Sequence, residues 1–396
     1  MIPVSEATSI IQSHSIETAK EEITIQHACG RILREEVRAD RDFPPFDRVT
    51  MDGIAISFQA FKKGIQKFQI EGIQAAGEQT KRLNNNDSCI EVMTGAMLPI
   101  GTDTIIRYED LEIKDQAAIL LIQDIQKNQN IHSQGQDAKR NEVLLAPGIT
   151  LSPAEVALLA SVGKKTVLVS SFPKTAIIST GDELIPVDLI PLPYQIRRSN
   201  SYALQAALHE LGCQADQYHI PDQEEILEPE VKKILAHYQL IIFSGGVSRG
   251  KFDFVPQTLE RNGIQKRFHQ VSQKPGKPLW FGTSSNHVVF ALPGNPVSTY
   301  MCFYRYIKPW LLKSLTGATK QNTAILAKDF SFKPPLTYFL QVSAHLEQGQ
   351  LKAYPSAGGG SGDFANLKDV DGFIELPAQT TDFKAGQAFN YYPFRK

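Results

Sequence analysis

The stretch LIIFSGGVSRGKFD, residues 240–253, joins a short apolar run to a glycine-rich loop. The run at 240–243 predicts a buried strand, and the loop after it carries Gly245, Gly246 and Ser248. Such a loop lets backbone N–H groups approach an anion closely. Because ligands of open α/β sheets bind at the carboxyl ends of the strands, we expect an anion-binding site here.

Two further loops also follow apolar runs. STGDEL, residues 179–184, carries the neighbouring acids Asp182 and Glu183. LPGNPVS, residues 292–298, carries a Pro-Gly-Asn turn. The three loops together predict a pocket for a phosphorylated small molecule with carboxylates at its rim.

The surroundings of these loops indicate the fold class. Strand-like and helix-like segments alternate from residue 173 to 312, which predicts a doubly wound parallel α/β domain. Short β-like runs dominate from 22 to 137 and return after about 318. A helix is expected from Ser152, with Pro153 and Glu155 completing a capping box. The predicted fold class is therefore multidomain α/β plus β.

Bulk composition excludes several classes of protein. A chain of 396 residues is expected to hold two to four domains. The balance of 41 basic and 42 acidic residues predicts no nucleic-acid partner. No apolar run approaches about 18 residues and the N-terminus lacks a signal pattern, so we expect a cytoplasmic protein with no membrane partner. The cysteines form no C-x-x-C pair and predict free thiols in a reducing compartment: Cys29, Cys89, Cys213 and Cys302.

Several motifs have both a structural and a functional explanation. TMDGIA presents Asp52 at a loop tip, although Asp-Gly is also a common turn pair. MTGAMLP, with Thr94, is by itself a plain β-turn, and NIHSQGQD, with Asp137, is by itself a loop. The turn KPGKP holds Lys274 and Lys277, which either bind an anion or face solvent.

The acidic residues of the α/β region also have more than one possible role. Asp182 and Glu183 either bind Mg²⁺, accept hydroxyl donors or complement a helix N-terminus. Asp253 either caps the helix that follows it or faces the same metal site. Asp222 is expected to cap the helix that runs towards residue 237.

Taken in order, MDGIA, MTGAMLP, NIHSQGQD, STGDEL, IRRSNSY, SGGVSRGKFD, KPGKP and LPGNPVS resemble the molybdopterin molybdenumtransferase family, which includes MoeA and the gephyrin E-domain. The resemblance covers essentially the whole chain. It implies a homodimer of four-domain subunits. The implied domains are an N-terminal linking domain (1–24 with 41–49 and 138–171), an inserted β-rich domain (25–40 with 50–137), an α/β molybdopterin-binding domain (172–321) and a C-terminal β-domain (322–396).

The resemblance also implies a reaction. Molybdate is inserted into adenylylated molybdopterin with Mg²⁺-dependent release of AMP. The active cleft is expected between the α/β domain of one subunit and the inserted β-domain of the other. The molybdopterin adenylyltransferase and apo-molybdoenzymes are the expected protein partners.

The family's site residues transfer to matching positions of this chain. The implied catalytic residues are Asp52, Asp137, Glu183 and Asp253, and the implied metal ligands are Asp182, Glu183 and Asp253. The implied substrate- and anion-binding residues are Thr94, Gly245, Gly246, Ser248, Lys274, Lys277, Pro293, Gly294, Asn295 and Ser361. The partner subunit is expected to supply Asp52, Thr94 and Asp137. Asp222 matches a further acidic position of the family.

The chain departs from the family pattern at five positions. Arg198 stands where the family usually has an acid, and either pairs with a neighbouring acid or replaces a contact to the ligand. Arg249 and Lys251 replace Val and an acid, and they either strengthen anion binding while weakening metal binding or point to solvent. His132 and Gln136 replace Arg and Glu.

Two other functions remain open from the sequence. One is adenylyl transfer, as in the homologous single-domain protein. The other is a non-catalytic scaffold, as the E-domain serves in gephyrin. The retained acids favour the insertase.

Overall fold

The computed structural model describes residues 1–16, 18–247, 254–317, 321–356, 360, 362 and 364–395. Among the residues predicted for the site, Ser248, Asp253 and Ser361 lie outside this set. Arg249 and Lys251 also lie outside it.

The apolar run of the quoted stretch forms the strand Leu240–Ser244, and all five of its residues are buried. It lies inside a six-stranded sheet with the spatial order Ala215–Ile220, Thr175–Thr180, Leu240–Ser244, Val288–Leu292, Trp280–Thr283 and Gln265–His269. The first four strands pair in parallel, whereas the last two join by antiparallel pairing. The four residues between Trp280–Thr283 and Val288–Leu292 are too few for a crossover, so these strands form a hairpin.

The two faces of this sheet pack against different helices, because successive strand residues point to opposite faces. Ile242 lies in one core with the helix Asn200–Glu210. Phe243 lies in the other core with the helices Glu224–Leu235 and Val255–Arg261. Helices on both faces of a largely parallel sheet confirm the predicted doubly wound α/β fold.

The inserted region forms a second six-stranded sheet, in which only Lys67–Gln74 and Ser88–Val92 pair in parallel. Its spatial order is Thr104–Arg107, Gly53–Ile56, Ser88–Val92, Lys67–Gln74, Ala117–Leu120 and Leu111–Lys114. This sheet confirms the β-rich character predicted for the N-terminal half.

Residues 25–40 do not pack as predicted with the inserted sheet. The strand Val37–Arg38 pairs with Val143–Leu145, and Leu33 shares a core with Val167. The apolar side chains of this segment are therefore buried by the linking segment that follows the insertion. The grouping of 25–40 with 50–137 is corrected accordingly, and the other domain boundaries stay predictions.

The C-terminal strands close into a ring, because Thr337–Glu347 pairs with both its first and its last neighbour. In order the ring contains Thr337–Glu347, Gln350–Pro355, Asn322–Leu326, Ala388–Pro393 and Gly372–Leu376. The strand Gln273–Lys274 pairs with Thr337–Glu347 from outside the ring. This pairing fastens the start of the KPGKP turn to the C-terminal sheet.

Short elements complete the described structure. The two-stranded pairs are Lys20–Thr24 with Thr166–Ser170, Val37–Arg38 with Val143–Leu145, Arg48–Val49 with Ile131–His132, Leu184–Ile185 with Ile196–Arg197, and Phe330–Ser331 with Asp382–Phe383. The remaining α-helices are Val4–Gln12, Phe58–Lys62, Pro153–Ser161, Pro296–Cys302 and Lys308–Thr316, with a π-helical segment at Phe303–Ile307 and 3₁₀ turns at Ile25–His27, Tyr108–Asp110 and Phe364–Leu367. Within the described ranges, none of these helices has the length and apolarity needed to span a membrane.

Candidate active site

A cavity of about 690 Å³ opens at the carboxyl ends of the parallel strands. Its walls are the loops after Thr175–Thr180, Leu240–Ser244 and Val288–Leu292, the segment before the helix Asn200–Glu210, and the KPGKP turn. The predicted site residues that line it are Glu183, Gly245, Gly246, Lys274, Lys277, Pro293, Gly294 and Asn295. Loops that lie far apart in the sequence therefore meet at one edge of the sheet, as predicted.

The glycine loop accepts only glycine at its first two positions. Gly245 and Gly246 have φ angles of +102° and +68°, in a region that side chains disfavour. A Cβ on Gly245 would lie 2.7 Å from the Thr180 carbonyl oxygen, and one on Gly246 would lie 2.8 Å from the Thr180 hydroxyl. The backbone thus runs directly against the end of the neighbouring strand and stays open towards the cavity.

The segment before the helix Asn200–Glu210 is fastened to two other loops by one side chain. The Asn200 Nδ2 atom donates to Ser244 Oγ at 2.8 Å and to the Gly294 carbonyl at 2.7 Å. Thr299 Oγ1 donates to the Pro293 carbonyl at 2.5 Å. These bonds hold the Pro-Gly-Asn turn against the glycine loop.

The KPGKP turn presents two ammonium groups at the cavity. Lys274 and Lys277 are exposed, whereas Gln273 beside them is fully buried. The Gln273 amide donates to the Gly276 carbonyl at 2.8 Å and accepts from the Tyr306 hydroxyl. A buried amide therefore fixes the turn from below, while its two cations remain available to a ligand.

The predicted acidic pair divides between the cavity and its rim. Glu183 lines the cavity, and its carboxylate folds back to within 2.7 Å of the Cβ that Gly181 would carry. Asp182 is not among the described lining residues, and its Oδ1 accepts from the Asp222 backbone N–H at 3.2 Å. Asp222 itself lines the cavity.

The prediction that Asp222 caps the next helix is wrong. That helix begins at Glu224, and Gln223 occupies the cap position without a side-chain hydrogen bond. The Pro221-Asp222 turn instead holds Asp222 at the strand end, beside Asp182.

Within the described ranges, no group of three or more His, Cys, Asp or Glu side chains is arranged to hold a metal ion. Mg²⁺ commonly binds through one or two carboxylates together with substrate phosphates and water. Asp182 and Glu183 supply such oxygen donors at the rim, so the chemistry of the pair fits Mg²⁺. Asp253, the third predicted ligand, lies outside the described residues.

His219 lies behind the strand end at the same rim. Its Nδ1 atom is 3.1 Å from the Ser179 carbonyl oxygen, which accepts a hydrogen bond from it. Burial lowers the pKa of His219 below the ordinary value of 6.5, and the positive charge of Arg198 lowers it further. The acids Asp182 and Glu183 act in the opposite direction. His219 therefore reports the balance of charge at this rim.

The inserted sheet positions Asp52 with Thr94. The Asp52 Oδ1 atom accepts from the Thr94 backbone N–H at 2.6 Å and from its hydroxyl at 2.8 Å. These two bonds, the backbone one first, lower the pKa of Asp52 below 3.8. Asp52 is thus an ionised carboxylate held in one orientation.

A chain of hydrogen bonds positions Asp137. Arg48 Nη2 donates to His132 Nδ1 at 2.9 Å, and His132 Nε2 lies 2.8 Å from Asp137 Oδ1. Because a guanidinium can only donate, Nδ1 is the acceptor and Nε2 carries the proton shared with Asp137. His132, which replaces the family's usual Arg, therefore still donates to this acid.

Asp52, Thr94 and Asp137 are not among the described residues that line the α/β cavity. Within one chain, the structure thus forms two separate clusters. The first contains the glycine, lysine and Pro-Gly-Asn loops, and the second contains Asp52 with Thr94. Asp137 is held separately by His132.

Several cavity residues were not among those predicted for the site. They are Thr180, Arg197, Arg198, Ser199, Asn200, Ser201, Gln273 and Ser298. Arg197 to Ser201 belong to the quoted IRRSNSY motif, so its position before a helix was an available signal. Gln273 carries no comparable signal, because its role depends on burial beneath the turn.

Comparison with known proteins covers almost the whole chain. Residues 2–163 match the family model described as MoeA N-terminal region (domain I and II). Residues 176–313 match the probable molybdopterin binding domain. Residues 323–394 match the MoeA C-terminal region (domain IV).

Individual proteins that match the chain over nearly its whole length carry the same family description. A molybdopterin molybdenumtransferase of Synechocystis sp. is 38% identical, over 99% of this chain and 100% of that protein. One from Haemophilus influenzae is 31% identical over 100% and 99%. The crystal structure of a molybdopterin biosynthesis MoeA protein from Pyrococcus horikoshii superposes with a TM-score of 0.84 at 29% identity and covers 100% of both chains. By sequence and by fold, this chain belongs to the MoeA family.

Proposed function

We propose that this chain is a transferase that inserts molybdate into adenylylated molybdopterin and releases AMP. The observation that carries the proposal is the convergence of the Gly245-Gly246 backbone with Lys274 and Lys277 on one cavity. The relatives named molybdopterin molybdenumtransferase, which match nearly the full chain, support transfer of molybdenum to molybdopterin.

The cavity residues have complementary roles in this reaction. Molybdate and the phosphoanhydride of adenylylated molybdopterin are both anions. Lys274 and Lys277 attract their oxygens as point charges, and the glycine backbone offers N–H donors at short range. Preorganised donors of this kind stabilise the charge that develops when AMP leaves.

Mg²⁺ is the proposed cofactor. When bound, it would neutralise charge on the scissile phosphoanhydride. Asp182 and Glu183 are the proposed ligands from the described residues, with Asp253 as the third. Lys274 and Lys277 hold the anion in place independently of the metal.

A homodimer is proposed because Asp52 and Asp137, two of the acids predicted for catalysis, do not line the α/β cavity of their own chain. Asp52, oriented by Thr94, and Asp137, oriented by His132, would enter the cavity of the partner subunit. Each site would then contain one α/β domain and one inserted domain.

Mixed dimers test this arrangement. Asp52→Ala and Lys277→Ala are each expected to inactivate the enzyme. After subunit exchange between the two variants, about a quarter of the wild-type rate should return, because half of the dimers carry one intact site. Mixed dimers that stay inactive would show that the two clusters do not share a site.

The reaction itself is tested by supplying adenylylated molybdopterin, molybdate and Mg²⁺ and measuring AMP and the finished cofactor. The expected result is molybdate-dependent AMP release that Lys274→Ala and Lys277→Ala both slow. Adenylyl transfer predicts ATP consumption instead, and a scaffold predicts binding without AMP release. Either outcome contradicts the proposal.

The cellular setting follows from the substrates. The molybdopterin adenylyltransferase would supply the adenylylated intermediate, and apo-molybdoenzymes would receive the product. A cytoplasmic location is proposed with them. Co-purification of the chain with either partner tests the first part, and fractionation tests the second.

A further inference from the structure

Three residues that line the cavity carry buried polar atoms that have no hydrogen-bond partner among the described residues. These atoms are Thr180 Oγ1, Arg198 Nε and Asn200 Oδ1. Buried polar atoms are nearly always paired in folded proteins. Three unpaired atoms on one cavity wall therefore indicate a ligand that completes their hydrogen bonds.

Thr180 and Asn200 show that this wall is fixed before a ligand arrives. Thr180 is only 3% exposed, and its hydroxyl lies against the glycine loop. The Asn200 Nδ2 atom is committed to the Gly294 carbonyl, which can only accept, so Oδ1 is the atom left over. Neither side chain needs to reorient to meet a ligand.

Arg198 is held at the same wall by its backbone. Its N–H donates to the Ile185 carbonyl at 3.0 Å, at the end of the paired strands Leu184–Ile185 and Ile196–Arg197. The helix Asn200–Glu210 begins two residues later, so its positive N-terminal end faces the same space.

Within the part of the chain that the structure describes, the Arg198 guanidinium forms no salt bridge with a carboxylate. Of the two explanations that the sequence left open for this departure from the family pattern, pairing with a neighbouring acid is thus not supported by the described contacts. A cation whose buried N–H lacks an acceptor is suited to an anionic oxygen.

We propose that Arg198 binds a phosphate oxygen of the substrate and acts together with Lys274 and Lys277, which line the same cavity. The proposal rests on the proposed function for the identity of the substrate, but its chemistry requires only a phosphoanhydride or phosphate group. Thr180 Oγ1 would donate to the same group. Arg198 thereby orients the phosphate end of the ligand against the glycine loop.

The test measures binding of inorganic pyrophosphate by calorimetry to the full-length protein. Arg198→Gln is expected to raise the Kd roughly 10- to 100-fold, the range for loss of a charge-assisted hydrogen bond. Arg198→Lys, which keeps the charge but loses the planar donor pair, should fall between that variant and wild type. The matched control is Arg267→Gln, because Arg267 is exposed on the far edge strand of the same sheet and donates to Thr283 Oγ1.

Several outcomes overturn the proposal: no pyrophosphate binding by the wild type, an unchanged Kd in Arg198→Gln, an equal loss in Arg267→Gln, or a loss seen only with molybdate as the titrant. The AMP-release assay separates this proposal from the proposed function. In that assay, Arg198→Gln should raise the KM for adenylylated molybdopterin by a larger factor than it lowers kcat. Wild-type turnover with an unchanged KM in the variant rejects the role of Arg198 alone. Absent turnover with Arg198-dependent pyrophosphate binding rejects the proposed reaction alone.

Discussion

The side-chain amide of Asn200 donates to the backbone carbonyl of Gly294 at 2.7 Å, across 94 residues of sequence. The same nitrogen donates to Ser244 Oγ, the residue that leads into the glycine loop. One amide therefore connects the IRRSNSY segment with both loops that the sequence marks for anion binding.

Asn200→Asp is expected to weaken the α/β domain by about 1 kcal/mol, because a carboxylate oxygen would face the Gly294 carbonyl and the hydrogen bond that joins the two loops would be lost. Both tryptophans of the chain, Trp280 and Trp310, are buried in this domain. Urea unfolding followed by tryptophan fluorescence thus reports on the domain directly. Asn286→Asp makes the same charge change on an exposed turn and should leave the midpoint unchanged. Equal midpoints for the two variants would contradict the junction.

Gly245→Ala is expected to lower stability by about 1–3 kcal/mol from backbone strain alone, with a further cost from the contact at 2.7 Å with the Thr180 carbonyl. Gly294→Ala is the matched comparison, because a Cβ there meets only Gly245 Cα, at 3.7 Å. Thermal unfolding should therefore separate two substitutions that are chemically identical and lie on adjacent loops. A Tm for Gly245→Ala as high as that for Gly294→Ala would mean that the loop relaxes without cost.

The sequence predicted the α/β sheet and the loops at its carboxyl edge well, because apolar runs, turn residues and helix caps are local signals. The capping box is an example: Ser152 accepts from Ala154 N–H and donates its own N–H to Glu155. The antiparallel edge of the sheet was not predicted, since a buried apolar strand has the same pattern in either direction.

Long-range packing limited the rest of the prediction. Residues 25–40 carry ordinary β signals, and only their burial against the Val167 strand assigns them to the linking segment. Asp222 has the residue type of a helix cap, but the helix starts one residue later than this prediction requires, which leaves Asp222 at the cavity. In the sequence, Arg198 stands out only as a departure from the family pattern, because an unpaired buried N–H can be recognised only in the folded chain.

Thr94→Val tests whether Asp52 must be held in one orientation. The backbone bond from Thr94 remains in this variant and the hydroxyl bond is lost, so AMP release should slow, but by less than the roughly 10²-fold expected for Asp52→Ala. Asp124→Ala removes an exposed acid of the same region and should have the wild-type rate. The rate of AMP release in a single turnover ranks these three variants, and circular dichroism verifies that each is folded. A rate for Thr94→Val at the wild-type level would show that the hydroxyl bond is dispensable.

His219 offers a direct measure of charge at the cavity rim. Its pKa in the folded chain lies below 6.5, first because of burial and second because of Arg198. The folded state then binds this proton less readily than the unfolded chain does. The stabilising effect of a neutral His219 is complete above about pH 6.5 and is lost as the pH falls from there through the folded-state pKa.

Proton NMR of protein labelled with ¹³C at histidine Cε1 measures this pKa, and His219→Asn assigns the signal among the nine histidines. Asn places an amide nitrogen near the position of Nδ1, so the bond to the Ser179 carbonyl is retained. In Arg198→Gln the pKa of His219 should rise towards 6.5, because one of the two causes of its depression is removed. In Arg267→Gln it should stay at the wild-type value. A His219 pKa at or above 6.5 in the wild type, or a pKa that does not change in Arg198→Gln, would show that the guanidinium does not lie where the structure places it.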